Sequence, residues 1–162
     1  MKYKVVLSKD YLLNKSKYIE DIKLLYQDDT NKLANIDNIT RHLDFIFSIP
    51  NSILVLLYDD NKLISMVNGY EYNSIYHDFC IFSLFTKKEY RAQGLGYKTL
   101  KYIIKEIEKY NPNKIISGIE EDNFSSIKVH EKIGFINSHL KWNEIEEGFP
   151  DNHIGYVYKS KL

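Results

Sequence analysis

Residues 79–85, Phe-Cys-Ile-Phe-Ser-Leu-Phe, are almost wholly apolar, and further on Leu100, Ile103, Ile104 and Ile107 recur at three- and four-residue spacing. The first run has the length and composition of a strand covered on both faces; the second is the single apolar stripe of a helix lying on a sheet. Asn111 and Pro112 stop that helix, and residues 114–119 form another short apolar strand. Two strands joined through a helix in one sheet run parallel, with a right-handed crossover. That constraint puts the chain in the α/β class.

The remaining segments extend the sheet. Residues 3–7 read as a strand, and residues 15–26 carry Ile19, Ile22 and Tyr26 at helical spacing. Ile36, Ile39, Leu43, Ile46 and Phe47 share one helix face, ended by Pro50. Residues 52–58 and 63–72 form a hairpin around Asp59, Asp60, Asn61 and Lys62. A short helix spans residues 124–133, with Asn123 as N-cap and Gly134 as its left-handed terminator. Residues 135–142 and 153–159 are two closing strands. The sheet is therefore mixed, and residues 1–162 read as a single domain with no linker or repeat.

Composition excludes several classes of partner. Lys plus Arg (22) equals Asp plus Glu (22), so no net field draws the chain to nucleic acid or anionic lipid. No apolar run approaches the roughly 20 residues of a membrane span. The single cysteine, Cys80, and a start of MKYKVVLSKD without an apolar core predict a cytoplasmic protein. His42, His77, His130, His139 and His153 are scattered without ligand spacing, so no metal is expected.

The segment Tyr90-Arg91-Ala92-Gln93-Gly94-Leu95-Gly96-Tyr97 joins the apolar strand to the amphipathic helix. A helix's first turn leaves backbone N–H groups unpaired, and glycines let a phosphate approach them. The same glycines also suit a tight turn with close helix–sheet packing. A Walker loop is absent, because no Gly-Lys-Ser/Thr follows. A dinucleotide fingerprint would need glycine where Thr99 stands, although Glu120 suits its acidic position.

The third phosphate-binding design is the one the chain resembles. Arg91, Gly94 and Gly96 match the pyrophosphate motif of the GNAT superfamily of acyl-CoA-dependent N-acetyltransferases: Arg or Gln, two residues, Gly, one residue, Gly or Ala. Downstream, Asn123, Ser126 and the run His130-Glu131-Lys132-Ile133-Gly134-Phe135 are similar to the family's later motif. The resemblance implies a GNAT-like fold, a mixed splayed central sheet of six to seven strands flanked by four helices. Acetyl-CoA as co-substrate would lie where two central strands part. The backbone of Leu84, Phe85 and Thr86 would pair with its pantetheine arm. Residues Arg91, Ala92, Gln93, Gly94, Leu95, Gly96 and Tyr97 would hold its pyrophosphate, and Asn123 and Ser126 would face it. An N-cap asparagine needs no ligand, so capping is the competing role for Asn123.

The family's usual chemistry is direct attack by a neutral amine on the thioester in a ternary complex. It needs a base for the substrate ammonium and tolerates a weak acid for the thiolate. The family usually places a tyrosine where this chain has His130, whose imidazole is the expected acid, with a scaffold role as the alternative. Asp78 and Glu71 are the candidate bases, assisted through water by Tyr72 or His77. Cys80, inside an apolar strand, reads as a packed small hydrophobe. The acceptor is a small-molecule or peptide primary amine, framed by loops near residues 26–36 and 143–152, where Glu144, Glu146 and Glu147 suit a cation. Edge strands near the C-terminus offer a surface for a homodimer. The competing reading is a catalytically weak acyl-CoA-binding module of the same fold; a nicotinamide-dinucleotide binder ranks below both.

Overall fold

The computed structural model describes residues 1–27, 35–141 and 152–159. Its elements are β1 (Lys2–Leu7), α1 (Ser8–Gln27), α2 (Ile36–Ser48), β2 (Ile53–Asp59), β3 (Lys62–Asn73), β4 (Asp78–Thr86), α3 (Leu95–Glu108), β5 (Lys114–Glu120), α4 (Phe124–Ile133), β6 (Ile136–Lys141) and β7 (His153–Lys159). The seven strands lie in the order β1-β2-β3-β4-β5-β7-β6. Only β4 and β5 pair in parallel, as a helical crossover demands; every other neighbour is antiparallel.

Two apolar layers cover the sheet. On one face Leu100, Ile103 and Ile107 of α3 pack on Val55, Val67, Phe79 and Ile81, with Phe135 behind α4 completing that core. On the other, Tyr18, Ile22 and Leu25 of α1 and Leu43 of α2 pack on Leu54, Leu56 and Met66. The hairpin between β2 and β3 turns on Asp60 and Asn61, both at positive φ (45° and 66°), the pair of left-handed residues that a two-residue hairpin favours. α4 is bounded as its sequence specifies: Asn123 Oδ1 caps its start and Gly134 ends it at φ 114°.

One helix differs from its sequence signal. α1 begins at Ser8 rather than near residue 15, and is kinked at Asn14 (φ −126°, ψ 19°). The Asn14 side chain donates to the Asp10 carbonyl and carboxylate at 3.1 and 2.8 Å, competing with the backbone ladder. The apolar periodicity starts only after that kink.

Candidate active site

The sheet forks at its centre. β4 and β5 are paired only from Asp78↔Lys114 to Ile81↔Ser117, yet β4 runs on to Thr86 and β5 to Glu120. At the fork Ser117 Oγ donates to the Ile81 carbonyl at 3.1 Å. Beyond it the main chain of Leu84, Phe85 and Thr86 presents an edge that, among the described residues, no strand pairs with on the β5 side. On the other side Ser65 Oγ anchors that stretch, donating to the Phe85 carbonyl (2.8 Å) and lying 2.9 Å from Thr86 Oγ1.

A bulge sharpens the fork. β3 pairs Asn68 with Phe82 but Met66 with Phe85, so β4 holds one residue more than its partner. Ser83 takes up the excess at φ 54°, an uncommon conformation for a serine. Leu84 then turns to the α3 core and Phe85 to the α1 and α2 core. Sequence carried no signal for this bulge, because neither glycine nor asparagine marks it. Across the same face lies a side chain that the sequence reading left unused: His42 Nε2 of α2 is 3.4 Å from Ser83 Oγ, and its ring stands edge-on to Phe82 at 5.6 Å. Partial desolvation holds the His42 pKa below its ordinary value, although the residue is exposed.

The loop after Thr86 is built to end in an exposed helix N-terminus. A 3-10 turn at Lys88–Tyr90 leads into Arg91, whose Nε donates to the Thr86 carbonyl at 2.9 Å and whose guanidinium sits 5.5 Å from the Phe85 ring. Ala92 (φ 59°) and Gly94 (φ 72°) both adopt left-handed backbone, and the Gln93 side chain ties back to the Glu89 carbonyl at 3.2 Å. Gly94 caps α3 without any side-chain bond, and the first intrahelical bond is Lys98 N–H to its carbonyl at 3.1 Å. The N–H groups of the preceding turn therefore point out of the helix, as an anion requires. A Cβ built on Gly94 meets nothing within 4 Å, and one on Gly96 meets only Thr86 Oγ1 at 3.5 Å, so the space over this turn is open. Leu95, buried against Leu57 and Ile64, pins the turn to the sheet.

At the start of α4, Asn123 Oδ1 accepts from Ser126 N–H (3.1 Å) and Ser125 Oγ (3.0 Å), so capping occupies that oxygen. Ser126 and His130 share a helix face, with Ser126 Oγ 3.3 Å from His130 Nδ1. The His130 ring is 2% exposed, edge-on to Phe135 at 5.0 Å, and burial lowers its pKa to about 4. Nδ1 lies 2.8 Å from the Ser126 carbonyl, an acceptor only, so the neutral ring's proton sits on Nδ1. Nε2 is buried without a hydrogen-bond partner. These contacts favour the scaffold role over the expected acid: burial keeps the ring neutral at pH 7, and its remaining proton is held by a carbonyl.

Asp78 and Glu71, the expected bases, sit where β3 and β4 begin to close against their neighbours. Asp78 opens β4 where the parallel ladder begins, six residues and about 20 Å from Leu84. There its carboxylate accepts from Asn113 Nδ2 (2.9 Å) and Tyr72 OH (3.3 Å) and lies 3.4 Å from Lys114 Nζ. Glu71 pairs with Phe79, so it belongs to the α3 side of the sheet. It accepts from Asn51 Nδ2 at 2.6 Å and lies 2.8 Å from His77 Nδ1. Both carboxylates lock the closed end of the sheet. Asp78→Ala is expected to cost about 2 kcal/mol of stability, from its lost charge-assisted bonds, while leaving coenzyme A affinity unchanged; denaturant melts and calorimetric titration measure the two.

Of the acceptor loops read from sequence, residues 28–34 and 143–151, which include Glu144, Glu146 and Glu147, lie outside the described residues. Among the described residues, no cluster of three His, Cys, Asp or Glu side chains could hold a metal, and no helix is long and apolar enough to cross a membrane.

Comparison with known proteins assigns the frame. A search of curated proteins finds no sequence match. Among solved structures, an N-acetyltransferase from Staphylococcus aureus Mu50 superposes with a TM-score of 0.71 at 15% identity, covering 98% of this chain and 99% of that one. An aminoglycoside 6'-N-acetyltransferase complexed with coenzyme A gives 0.72 at 14% identity, over 98% and 97%. The yncA protein of Salmonella typhimurium, solved with its cofactor acetyl-CoA, gives 0.68 at 14% identity, over 98% and 93%. At such identities the likeness speaks for the fold alone. The family model for the acetyltransferase (GNAT) family matches residues 19–135, well over half the chain, and the fork, bulge and glycine turn all lie within that span. The chain belongs to the GNAT family of acetyltransferases.

Proposed function

We propose that the protein transfers an acetyl group from acetyl-CoA to a primary amine by direct attack in a ternary complex. The observation that carries this reading is the continuity of the fork with the glycine turn. The free edge of Leu84, Phe85 and Thr86 runs without interruption into the loop that ends at the open N-terminus of α3. A pantetheine arm laid along that edge would reach the thioester position beside the Ser83 bulge, with its pyrophosphate on the N–H groups of residues 95–97. Next to that turn an open groove of about 650 Å³ follows α3, lined among others by Tyr97, Lys98, Lys101 and Tyr158. Its mixture of rings and ammonium groups suits a nucleotide's base and phosphates. The Lys132 Nζ lies 5.2 Å from the Tyr97 ring at the same place.

In this frame the protein's work is positional. Fixed main-chain donors beside the bulge would stabilise the oxyanion without reorganising during reaction. Acetyl-CoA supplies the activated acyl group, and a thiol of pKa near 8.5 leaves with little help, so the reaction requires no strong acid at His130. The amine's proton still needs an acceptor. Cytoplasmic location and one domain over residues 1–162 fit this reading.

The second reading, a coenzyme A-binding module with little turnover, is favoured by one observation, the neutral and buried His130. One experiment separates them. At one hundred times its dissociation constant, coenzyme A should add about 2.7 kcal/mol to stability under either reading. Only the transferase releases free thiol faster with an amine panel than in buffer alone. Thiol release at the buffer rate with every amine, alongside full stabilisation by coenzyme A, would establish the module instead.

A further inference from the structure

Resting on the transferase reading, we propose that His42 is the base that takes the proton from the acceptor's ammonium. The imidazole lies on the sheet face opposite α3, beside the stretch of β4 along which the thioester would lie. Its Nε2 stands 3.4 Å from the hydroxyl of Ser83, the one β4 residue that the bulge forces to positive φ. That separation is long for a hydrogen bond, so an amine can replace the hydroxyl at little cost. In the tautomer protonated at Nδ1, Nε2 presents its one lone pair toward the Ser83 hydroxyl and so toward the bulge.

The ring is held but not sealed. Phe82 stands edge-on to it at 5.6 Å, Tyr70 edge-on to Phe82 at 5.3 Å, and Phe45 edge-on to Tyr70 at 6.5 Å. His42 and Phe45 are three residues apart on α2, hence on one helix face, and Phe45 is 59% exposed. Aromatic faces attract an ammonium before it is deprotonated. Partial desolvation by its aromatic neighbours shifts the exposed imidazole toward its neutral, proton-accepting form. By contrast, Asp78 and Glu71 are anchored at the far end of the sheet.

The proton balance is complete. The ammonium gives one proton to Nε2, and the freed lone pair forms the C–N bond. The C–S bond breaks with its electron pair going to sulfur, and the nitrogen's second proton passes to the thiolate. The imidazolium then discharges to solvent.

A base is needed only when the amine arrives charged, and this gives the test. His42→Gln, which keeps a polar group beside Ser83, is compared with the unaltered protein over every panel amine that is turned over. The panel contains phenethylamine and its β,β-difluoro analogue, nearly identical in shape but with a far less basic amine. Amines charged at the assay pH should lose about 100-fold or more in kcat/KM, within the usual range for a general base. The difluoro analogue and other weakly basic amines should lose under tenfold, with stabilisation by coenzyme A unchanged. An equal loss across all amines, or none, overturns the role of His42. Failure of the unaltered protein to acetylate any amine instead overturns the transferase reading, and the two failures are distinct.

Discussion

Lowering the pH from 6.5 to 4 should remove about 3 kcal/mol of folding stability through His130 alone, and His130→Phe should escape that loss. The ring is 2% exposed and is neutral in the folded protein down to about pH 4, whereas in the unfolded chain it charges below about 6.5. Between those values the unfolded state binds the extra proton. Stability through this group is therefore complete above pH 6.5, falls steadily as the pH drops to 4, and is flat below. The interval corresponds to roughly 3 kcal/mol, or about 6–12 °C in Tm for a chain of this length. Carboxylates titrate in the same range, so the quantity to measure is the gap between the two proteins' melting temperatures from pH 7 to pH 4. Phenylalanine gives up the bond to the Ser126 carbonyl and also removes the unpartnered Nε2, two opposing changes that keep the variant foldable. Melting curves that stay parallel would mean that the ring is hydrated, and an acid role for it would return.

His130 also shows where sequence reading stops. Its place four residues after Ser126 was legible, because helix periodicity is local. Its titration was not, because that depends on Phe135 and the surrounding layer. The crossover, the Asp60-Asn61 turn and both ends of α4 were legible for the same reason: each is dictated by residues a few positions apart. Asp78 and Glu71 were singled out as ionisable groups on the central strands, but their value depended on where the β4–β5 ladder ends. The ladder ends at Ile81, above them, and nothing in the sequence marks that residue. His42 was hidden differently. It is 41 residues from Ser83, and the bulge that brings the two together has no residue signature.

The glycine turn makes the second large prediction, in which two neighbouring substitutions should move stability in opposite directions and affinity in the same one. Gly94 sits at φ 72°, so alanine there should cost about 1–2 kcal/mol of stability from backbone strain, even though its methyl meets no atom. Gly96 is within the helix, where glycine is worse than alanine by about 0.8–1.0 kcal/mol in a helix interior. Its Cβ would make only an ordinary contact with Thr86 Oγ1 at 3.5 Å, so Gly96→Ala should leave the fold as stable as before or slightly more so. A residue that forgoes available stability in open space suggests that the space has a use. Filling it should displace the pyrophosphate from an N–H donor, a charge-assisted bond of about 1.5–3 kcal/mol, and weaken coenzyme A by roughly 10- to 100-fold. Gly96→Val should weaken it further, and Gly94→Ala should weaken it while also lowering Tm. Thermal melts without ligand, paired with calorimetric titration of coenzyme A, read both quantities. If Gly96→Ala bound coenzyme A as tightly as the unaltered protein, the turn would be a packing device, and the pyrophosphate would have to lie elsewhere.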